Sequence, residues 1–581
     1  MEREVVAEVL EEIALLLELL GENPFKTRAY DNAARVVRGL DQDLSQLVER
    51  KALTGIRGIG GALADKISTL VTTGELPYLA QLHEKVPQGL LEWLKISGLG
   101  AKKARAIHIA LGIETLDELE AACKAGKLRD LPGFGEKSEQ KILHGIDRLR
   151  THSGRFLRPV VLAEARRLVE LVQAVPGVTR AEVGGSVRRR LETSKDIDIV
   201  VSAEDPAAVM EVFAGAAGVI EVTGRGPTKC SVRLAAGPAS DLRVVPEESY
   251  PSALLYFTGS KAHNIAIRAR AQKLGYKLNE YALVREEDGE RIPCADEAQI
   301  YDKLGIGQWI PPELREDEGE IEAAEAGELP RLLEQSDIRG ALHVHSSWSD
   351  GSASIAEMAR EAQVMGLQYL GLCDHSKAAA YAGGLDADRV REQQAEIDKL
   401  NKESDGAFRI LKGIEVDILH DGSLDFPDDV LAGFDLVIAA VHSLFTLTEE
   451  EQTARFLRAL ENPYVDIIAH VTGRILLQRD GYRLDLARVL DAAAERGVAV
   501  EVNAHPSRLD LNWQNLRYGL KRGLKTSINP DAHSTRGIHA IEYGVEVARR
   551  AWCGPEDVLN AWPLERLLDH LRRRRREAGV A

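Results

Sequence analysis

From residue 340 onward, short apolar runs recur, and nearly every one ends on a side chain able to hold a metal ion. Leu342 leads into His343-Val344-His345 and Asp350, and Leu370-Gly371-Leu372-Cys373 ends at Asp374-His375. Ile410 to Ile414 ends at Glu415, Leu436 to Val441 at His442, and Val465 to Ala469 at His470. Val498 to Val502 ends at Asn503, with His505 just beyond, and Thr526-Ser527-Ile528 runs into Asp531 and His533. Apolar runs of this length read as buried strands. Seven of them with polar C-terminal ends describe a barrel of parallel strands whose site lies at that end, here a distorted (β/α)7 barrel over 337–581. One histidine after a strand is ordinarily a satisfied surface group, but six in the same placement, joined by Glu415, Asp350 and Asp531, point to a metal centre. Ten of the chain's 15 histidines lie in this half. Mixed imidazole and carboxylate donors suit Mn²⁺, Zn²⁺ or Fe²⁺ better than Mg²⁺. His420, His505, His539 and His570 fit no such position and read as structural or rim residues.

A second carboxylate constellation lies upstream, where Gly184-Gly185-Ser186-Val187-Arg188-Arg189 precedes Asp196-Ile197-Asp198. Residues two apart on a strand face the same way, so Asp196 and Asp198 aim at one point. Two carboxylates beside backbone amides and arginines suit Mg²⁺ or Mn²⁺ bound to a triphosphate. A third carboxylate is needed for two metals, and Asp241, opening the apolar run Asp241-Leu242-Arg243-Val244-Val245, is the best placed. Two ions about 3.5–4 Å apart stabilise both the attacking and the leaving oxygen of a phosphoryl transfer.

This pattern resembles the nucleotidyltransferase superfamily and, within it, the family X DNA polymerases. The resemblance extends to Tyr256-Phe257-Thr258-Gly259-Ser260 with Asn264 and Arg268. It implies that Tyr256 and Phe257 flank the incoming sugar and that Gly259 lets the chain turn beneath it. Asn264 would reach the base's minor-groove edge, Arg268 would sense the template, and Gly185, Ser186 and Arg189 would cradle the β- and γ-phosphates. Two positions depart from the pattern: Arg190 and Lys195 stand where the family usually has glycine. Lys195 would either crowd the phosphates or add a contact to them. The downstream spacing resembles the polymerase-and-histidinol-phosphatase (PHP) superfamily. That implies that His343, His345, Asp350, His375, Glu415, His442, His470, Asp531 and His533 hold up to three divalent ions, with Glu415 bridging two.

The first 150 residues carry an element three times: Gly58-Ile59-Gly60, Gly98-Leu99-Gly100-Ala101-Lys102-Lys103 and Gly133-Phe134-Gly135, spaced by about 40 and 35 residues. Each Gly-x-Gly sits between two helical stretches, as in helix-hairpin-helix elements. Glycines there free backbone N–H groups at a helix N-terminus to hold a phosphate without reading a base. The first hairpin falls where family X polymerases keep a lyase-like domain. By that resemblance Lys66 aligns with the lysine that forms a Schiff base with an abasic sugar, while a second pocket lysine is replaced by Ala62. A solvated lysine on a hairpin helix is the alternative.

Size and charge fit a multidomain enzyme. A chain of 581 residues exceeds one core, and about three to five domains are expected. These are helical domains over 1–90 and 91–155, a palm over 156–245, a nucleotide-binding subdomain over 246–312, an acidic linker over 313–336 and the barrel. The linker composition predicts a segment unable to bury itself, leaving the barrel to fold independently. Net charge is −17, but the excess lies in the linker and the barrel half, and the near-neutral first half can still grip phosphate through local basic clusters. Five cysteines without C-x-x-C spacing argue for a reducing cytoplasm. No apolar run reaches the roughly 20 residues that span a membrane, and the N-terminus resembles neither a signal nor a transit segment.

Together these features describe a multidomain α/β repair enzyme. It fills short gaps in DNA from dNTPs and processes 3′ ends, acting as a monomer on gapped or primer-template DNA in the bacterial cytoplasm, near the nucleoid. Two rivals stand beside it: a PHP small-molecule phosphatase with an accessory DNA-binding region, and a non-catalytic DNA-end binder.

Overall fold

The computed structural model describes every residue except 1, 2, 39, 41–43, 75, 95, 97, 153, 405, 407 and 581. It divides into two compact units, residues 1–153 with Leu477–Arg479 and the remainder of the chain. No helix among the described residues is long and apolar enough to cross a membrane.

In the first unit the described regular structure is entirely helical. The helix Arg3–Leu20 buries Val6, Leu10, Ile13 and Leu17 at helical spacing. It packs most extensively on the helix Pro24–Arg38. The three hairpins share one local geometry. Gly58, Gly98 and Gly133 take positive φ values of 102°, 84° and 83°, a region closed to most side chains. Three residues on, the chain enters a helix each time: Gly61–Thr73, Ala101–Leu111 and Glu136–His152. The residue between the glycines, Ile59, Leu99 or Phe134, is turned into the core.

The second unit opens with a five-stranded palm sheet: β1 (Val178–Val183), β2 (Asp196–Ala203), β3 (Val219–Arg225), β4 (Lys229–Leu234) and β5 (Ala239–Val245). The strand order is β1-β2-β5-β4-β3. The central pair, β2 and β5, is parallel with Asp198 opposite Asp241. Helices Arg158–Gln173 and Pro206–Ala214 cover one face through Val161, Leu168, Val209 and Phe213. Beyond the palm, the helices Tyr250–Thr258 and Lys261–Lys273 and a small antiparallel sheet form the adjoining subdomain.

Seven parallel strands follow in sequential order: β6 (Gly340–Val344), β7 (Tyr369–Leu372), β8 (Arg409–Asp417), β9 (Leu436–Ala440), β10 (Ile467–Ile468), β11 (Ala499–Asn503) and β12 (Thr526–Asn529). A parallel bridge between Val344 and Ala532 brings the first and last strands together, so the barrel nearly closes. The strands are buried on both faces, as the continuous apolar runs require. Inside, Leu342, Leu411, Leu436 and Ile438 pack with Trp562, Leu567 and Leu571 of the C-terminal segment.

The acidic segment departs from its expected behaviour as a linker. Pro312–Leu314 and Glu320–Ala326 are helical, and Glu313, Leu314, Arg315 and Glu320 are buried. Composition alone misleads here because the carboxylates have partners that lie far away in sequence. Glu313 accepts from Arg549 Nε at 2.6 Å, and Glu316 from Arg189 Nε at 3.2 Å and Arg550 Nη2 at 3.1 Å. Glu320 meets His263 Nδ1 at 2.7 Å, and His263 Nε2 lies 2.9 Å from the Tyr301 hydroxyl. Direct palm-to-barrel pairs add to this: Arg158 with Glu546, and Arg474 Nη2 with Glu192 at 2.7 Å. The barrel is therefore mounted on the palm within one compact unit rather than tethered to it.

Candidate active sites

The barrel rim gathers all nine side chains singled out from the sequence. Strand alternation puts His343 and His345 on one face at the end of β6, while Val344 packs into the outer core. His375 follows β7, Glu415 lies on β8, and His442 and His470 follow β9 and β10. Asp531 and His533 follow β12. Glu415 is the centre. Its Oε2 lies 2.9 Å from His375 Nδ1, 3.4 Å from His343 Nε2 and 3.6 Å from His345 Nε2. Its Oε1 lies 2.9 Å from His470 Nε2 and 3.2 Å from His442 Nε2. Asp531 Oδ1 sits 3.3 Å from His345 Nε2, and Asp350 Oδ1 sits 3.3 Å from His533 Nε2.

Three overlapping groups emerge whose donor atoms all lie within 4.8 Å of one another: His345, Asp350, His375 and His533; His343, His345 and Glu415; and His375, Glu415 and His442. His343 Nε2, both nitrogens of His345, His375 Nδ1 and Glu415 Oε2 are buried without a hydrogen-bond partner. Buried polar atoms left unmatched are costly, and a cluster of them all facing inward fits divalent cations. Electrostatics agree. Burial disfavours a charged imidazole at His375, yet Glu415 and Asp350 outweigh it and push the group up to about 10. At His442, Glu415 and Asp417 overcome burial and push it up to about 9. Glu415 is held well below the usual carboxylate range, against burial, by His442, His375 and His343. This pocket demands positive charge, from protons or from metal.

Sequence reasoning missed the carboxylates behind the rim. Buried Glu501 on β11 accepts from His343 Nδ1 at 2.8 Å, and Asp417 on β8 lies 3.3 Å from His442 Nδ1. Each fixes which ring nitrogen faces inward. Their signal was faint: Glu501 lies two residues before Asn503, and Asp417 two after Glu415, on the same strand faces. Of the remaining histidines, His505 bonds Ser507, His539 bonds Glu361 and His570 packs on Trp562.

In the palm, the turn Gly184-Gly185 carries the chain past the β2 carboxylates. Gly185 has φ 55°, and a Cβ there would stand 2.2 Å from Asp198 Oδ2. Burial, then Asp196 and Asp241, raise Asp198 to about 6, opposed by Lys229 and Arg189. The three carboxylates thus face a common region. Among the described residues, only barrel side chains close to the mutual 4.8 Å donor spacing. The palm trio is spread more widely, and Lys229 Nζ lies 2.7 Å from Asp241 Oδ2. Lys229, on β4 beside Asp241, was not foreseen.

The nucleotide-binding candidates are partly assembled. Tyr256, Asn264 and Arg268 line one crevice, and Asn264 Nδ2 donates to the Tyr256 carbonyl at 2.7 Å. Phe257 meets Tyr256 edge-on at 5.2 Å, with Arg243 over its other side. Ser186 Oγ donates to Ser194 Oγ at 2.8 Å. Arg189 is held between the nucleotide-binding turn and the acidic segment. It donates to the Thr258 carbonyl at 2.5 Å and to Glu316 at 3.2 Å. Gly259 leaves room for it, since a Cβ there would lie 2.9 Å from Nη1. Lys195 is exposed beside Asp196. In the first unit, Lys66 Nζ lies 4.9 Å from the Tyr78 ring centroid, and Lys26 Nζ approaches the same ring at 5.9 Å. Lys102 and Lys103 stand exposed beside the second hairpin.

Comparison with known proteins matches this layout region by region. Family models match residues 1–76 (helix-hairpin-helix domain), 90–148 (SAM-like helix-hairpin-helix tandem), 253–316 (DNA polymerase beta thumb) and 341–505 (PHP domain). The thumb match ends inside the segment expected to be a linker, in keeping with its burial. The DNA polymerase/3′-5′ exonuclease PolX of Bacillus subtilis is 38% identical over 575 residues, 99% of this chain and 100% of its own length. The chain belongs to the family X DNA polymerases that carry a PHP domain. A probable phosphatase of Thermoanaerobacter sp. (strain X514) is 31% identical over 254 residues, 41% of this chain and 96% of its own. One from Caldanaerobacter subterraneus is 28% identical over 260 residues, 41% and 92% respectively. As a family X polymerase with a PHP domain, the chain is a divalent-metal-dependent enzyme whose substrates are DNA and dNTPs.

Proposed function

We propose that this enzyme fills short gaps in DNA from the palm and trims 3′ ends from the barrel, as a monomer in the bacterial cytoplasm near the nucleoid. The observation that supports the reading is a palm carboxylate trio and a barrel rim of imidazoles and carboxylates in one chain with three Gly-x-Gly hairpins. In the palm, Asp196 and Asp198 would hold Mg²⁺ or Mn²⁺, with Asp241 as the third carboxylate beside the primer end. The primer 3′-OH gives its proton to solvent water, its oxygen bonds to the α-phosphorus, and the bond to pyrophosphate breaks. Tyr256, Phe257, Gly259, Asn264 and Arg268 orient the nucleotide, with Gly185, Ser186 and Arg189 at the phosphates. Lys66 acting on abasic sugars is consistent with its place beside Lys26 and Tyr78.

In the barrel, the nine rim residues would hold up to three Mn²⁺, Zn²⁺ or Fe²⁺ ions. Such ions acidify water and polarise phosphodiester oxygens. Water adds to the terminal phosphorus, the penultimate 3′ oxygen leaves and takes a proton, and a nucleoside 5′-monophosphate is released. Glu501 and Asp417 keep His343 and His442 oriented.

The test separates the two sites. Asp198→Ala should abolish primer extension and leave 3′ trimming. His343→Ala with His345→Ala should lower bound Mn²⁺ and stop trimming while extension continues. Extension surviving in the first variant would refute the palm assignment. Trimming surviving in the second would refute the barrel assignment. Activity on free phosphate monoesters exceeding that on DNA ends would favour the phosphatase rival.

A further inference from the structure

Beside the metal-ligand cluster an aromatic side chain is held out into solvent by a loop that is otherwise fixed. Tyr381 is 73% exposed, yet its ring centroid lies 6.2 Å from that of His375 and 6.5 Å from that of His442. The loop is not free to fold the tyrosine away. Its ends are joined by a bridge between Ser376 and Leu385. Gly384 lies so close to the Ser376 carbonyl that a Cβ would stand 1.9 Å from it. Ala378 N donates to Asp425 at 2.7 Å, and Arg389 Nη1 donates to the Gly383 carbonyl at 2.7 Å. The neighbours Ala379 and Ala382 on either side are buried, so the short turn Ala380–Ala382 presents one large side chain outward. Among the described residues its hydroxyl has no hydrogen-bond partner, and nothing in the fold requires a tyrosine there.

Across the cluster, Arg508 lies in the segment after β11. Its backbone is pinned: its N–H donates to the His505 carbonyl at 2.8 Å, and its carbonyl accepts from Arg474 Nε at 2.9 Å. The guanidinium is a quarter exposed and approaches Asp531 Oδ2 at 3.9 Å, outside hydrogen-bond distance. Tyr381 and Arg508 therefore face the same cluster, one offering a neutral ring and the other a cation.

We propose that Tyr381 and Arg508 form a subsite for the 3′-terminal nucleotide of the strand being trimmed, the ring stacking on the terminal base and the guanidinium holding its phosphate. An aromatic platform accepts any base, because every base has a π-face. A planar guanidinium matches phosphate oxygens. The inference rests on the reading of the barrel as a 3′-end nuclease, and it adds the recognition of a nucleotide rather than a bare phosphate.

The experiment compares wild type, Tyr381→Ala, Tyr381→Phe and Arg508→Gln of the full chain on a single strand with an ordinary or an abasic 3′-terminal nucleotide. Wild type and Tyr381→Phe should prefer the ordinary end in kcat/KM by about 5- to 150-fold, the range for stacking one base. Tyr381→Ala should lose that preference by slowing on the ordinary end alone, and Arg508→Gln should slow both ends. Equilibrium binding gives an activity-free readout: Tyr381→Ala should weaken thymidine 5′-monophosphate but not inorganic phosphate, and Arg508→Gln should weaken both, with bound Mn²⁺ unchanged. Equal slowing of both ends by Tyr381→Ala, or unchanged monophosphate binding, would overturn the subsite. Should wild type cut neither end with Mn²⁺ bound, the nuclease reading fails, and the binding arm still decides the subsite.

Discussion

Replacing Glu501 with glutamine changes one oxygen to an NH₂ group and should cost the barrel most of its metal affinity. Four groups point at this buried carboxylate, and all four donate. They are His343 Nδ1 at 2.8 Å, the His470 N–H at 3.3 Å, Asn503 Nδ2 at 2.9 Å and Asn529 Nδ2 at 2.9 Å. A carboxylate is acceptor-only and satisfies them. A glutamine amide must turn its NH₂ toward at least one donor, leaving buried groups unmatched at about 1–3 kcal/mol. His343 then loses the anion that fixes its Nε2 toward Glu415. Changes of this kind behind a metal ligand typically cost about 10- to 100-fold in metal affinity, or about 1.4–2.7 kcal/mol. Mn²⁺ titration of the metal-stripped full chain, followed by calorimetry, measures this directly. Primer extension serves as the internal control, because the palm lies on another sheet. Glu501→Gln with wild-type Mn²⁺ affinity and stoichiometry would refute the argument that this carboxylate organises the site.

Three further outcomes follow from the description above. Lys102→Glu with Lys103→Glu should weaken all DNA ligands alike, and log affinity should fall linearly with log salt in gel-shift or anisotropy titrations; a loss confined to one sequence would contradict backbone recognition. Lys195→Gly should change apparent dNTP affinity in steady-state extension; an unchanged value would mean that this exposed lysine plays no part in nucleotide binding. Glu297 is buried, which alone would raise its carboxyl, but Arg315 and Arg188 pull it down to about 2, so its stabilisation is present above pH 4.5 and fades as the pH falls toward 2. Glu297→Ala leaves buried Arg315 without its carboxylate partner and Arg188 with Glu182 alone, and should cost about 3–5 kcal/mol in urea unfolding; a loss under 1 kcal/mol would contradict that pairing.

The barrel and its rim were legible because both depend on local rules. An apolar run sets a strand, its C-terminal end sets the rim, and nine ligand-type residues at such ends can hardly fail to meet. The hairpins were legible for the same reason, as Gly-x-Gly before a helix fixes its own backbone. What escaped were pairings between distant residues. The acidic segment looked unable to bury itself, but Arg189, Arg549, Arg550 and His263 wait for it at separations no composition window sees. Lys229 and Glu501 were missed likewise, since each matters only through its neighbour across the sheet, Asp241 or His343.

The threefold hairpin has a kinetic consequence. On the proposed reading each turn would offer a few backbone amides to one phosphate, a hold too weak to keep DNA by itself. Joined in one unit, the three behave as a multivalent grip in which a released turn rebinds from a high effective concentration. Turns can let go singly while the others hold. The enzyme can then creep along a strand from phosphate to phosphate, staying on the duplex far longer than any single contact survives.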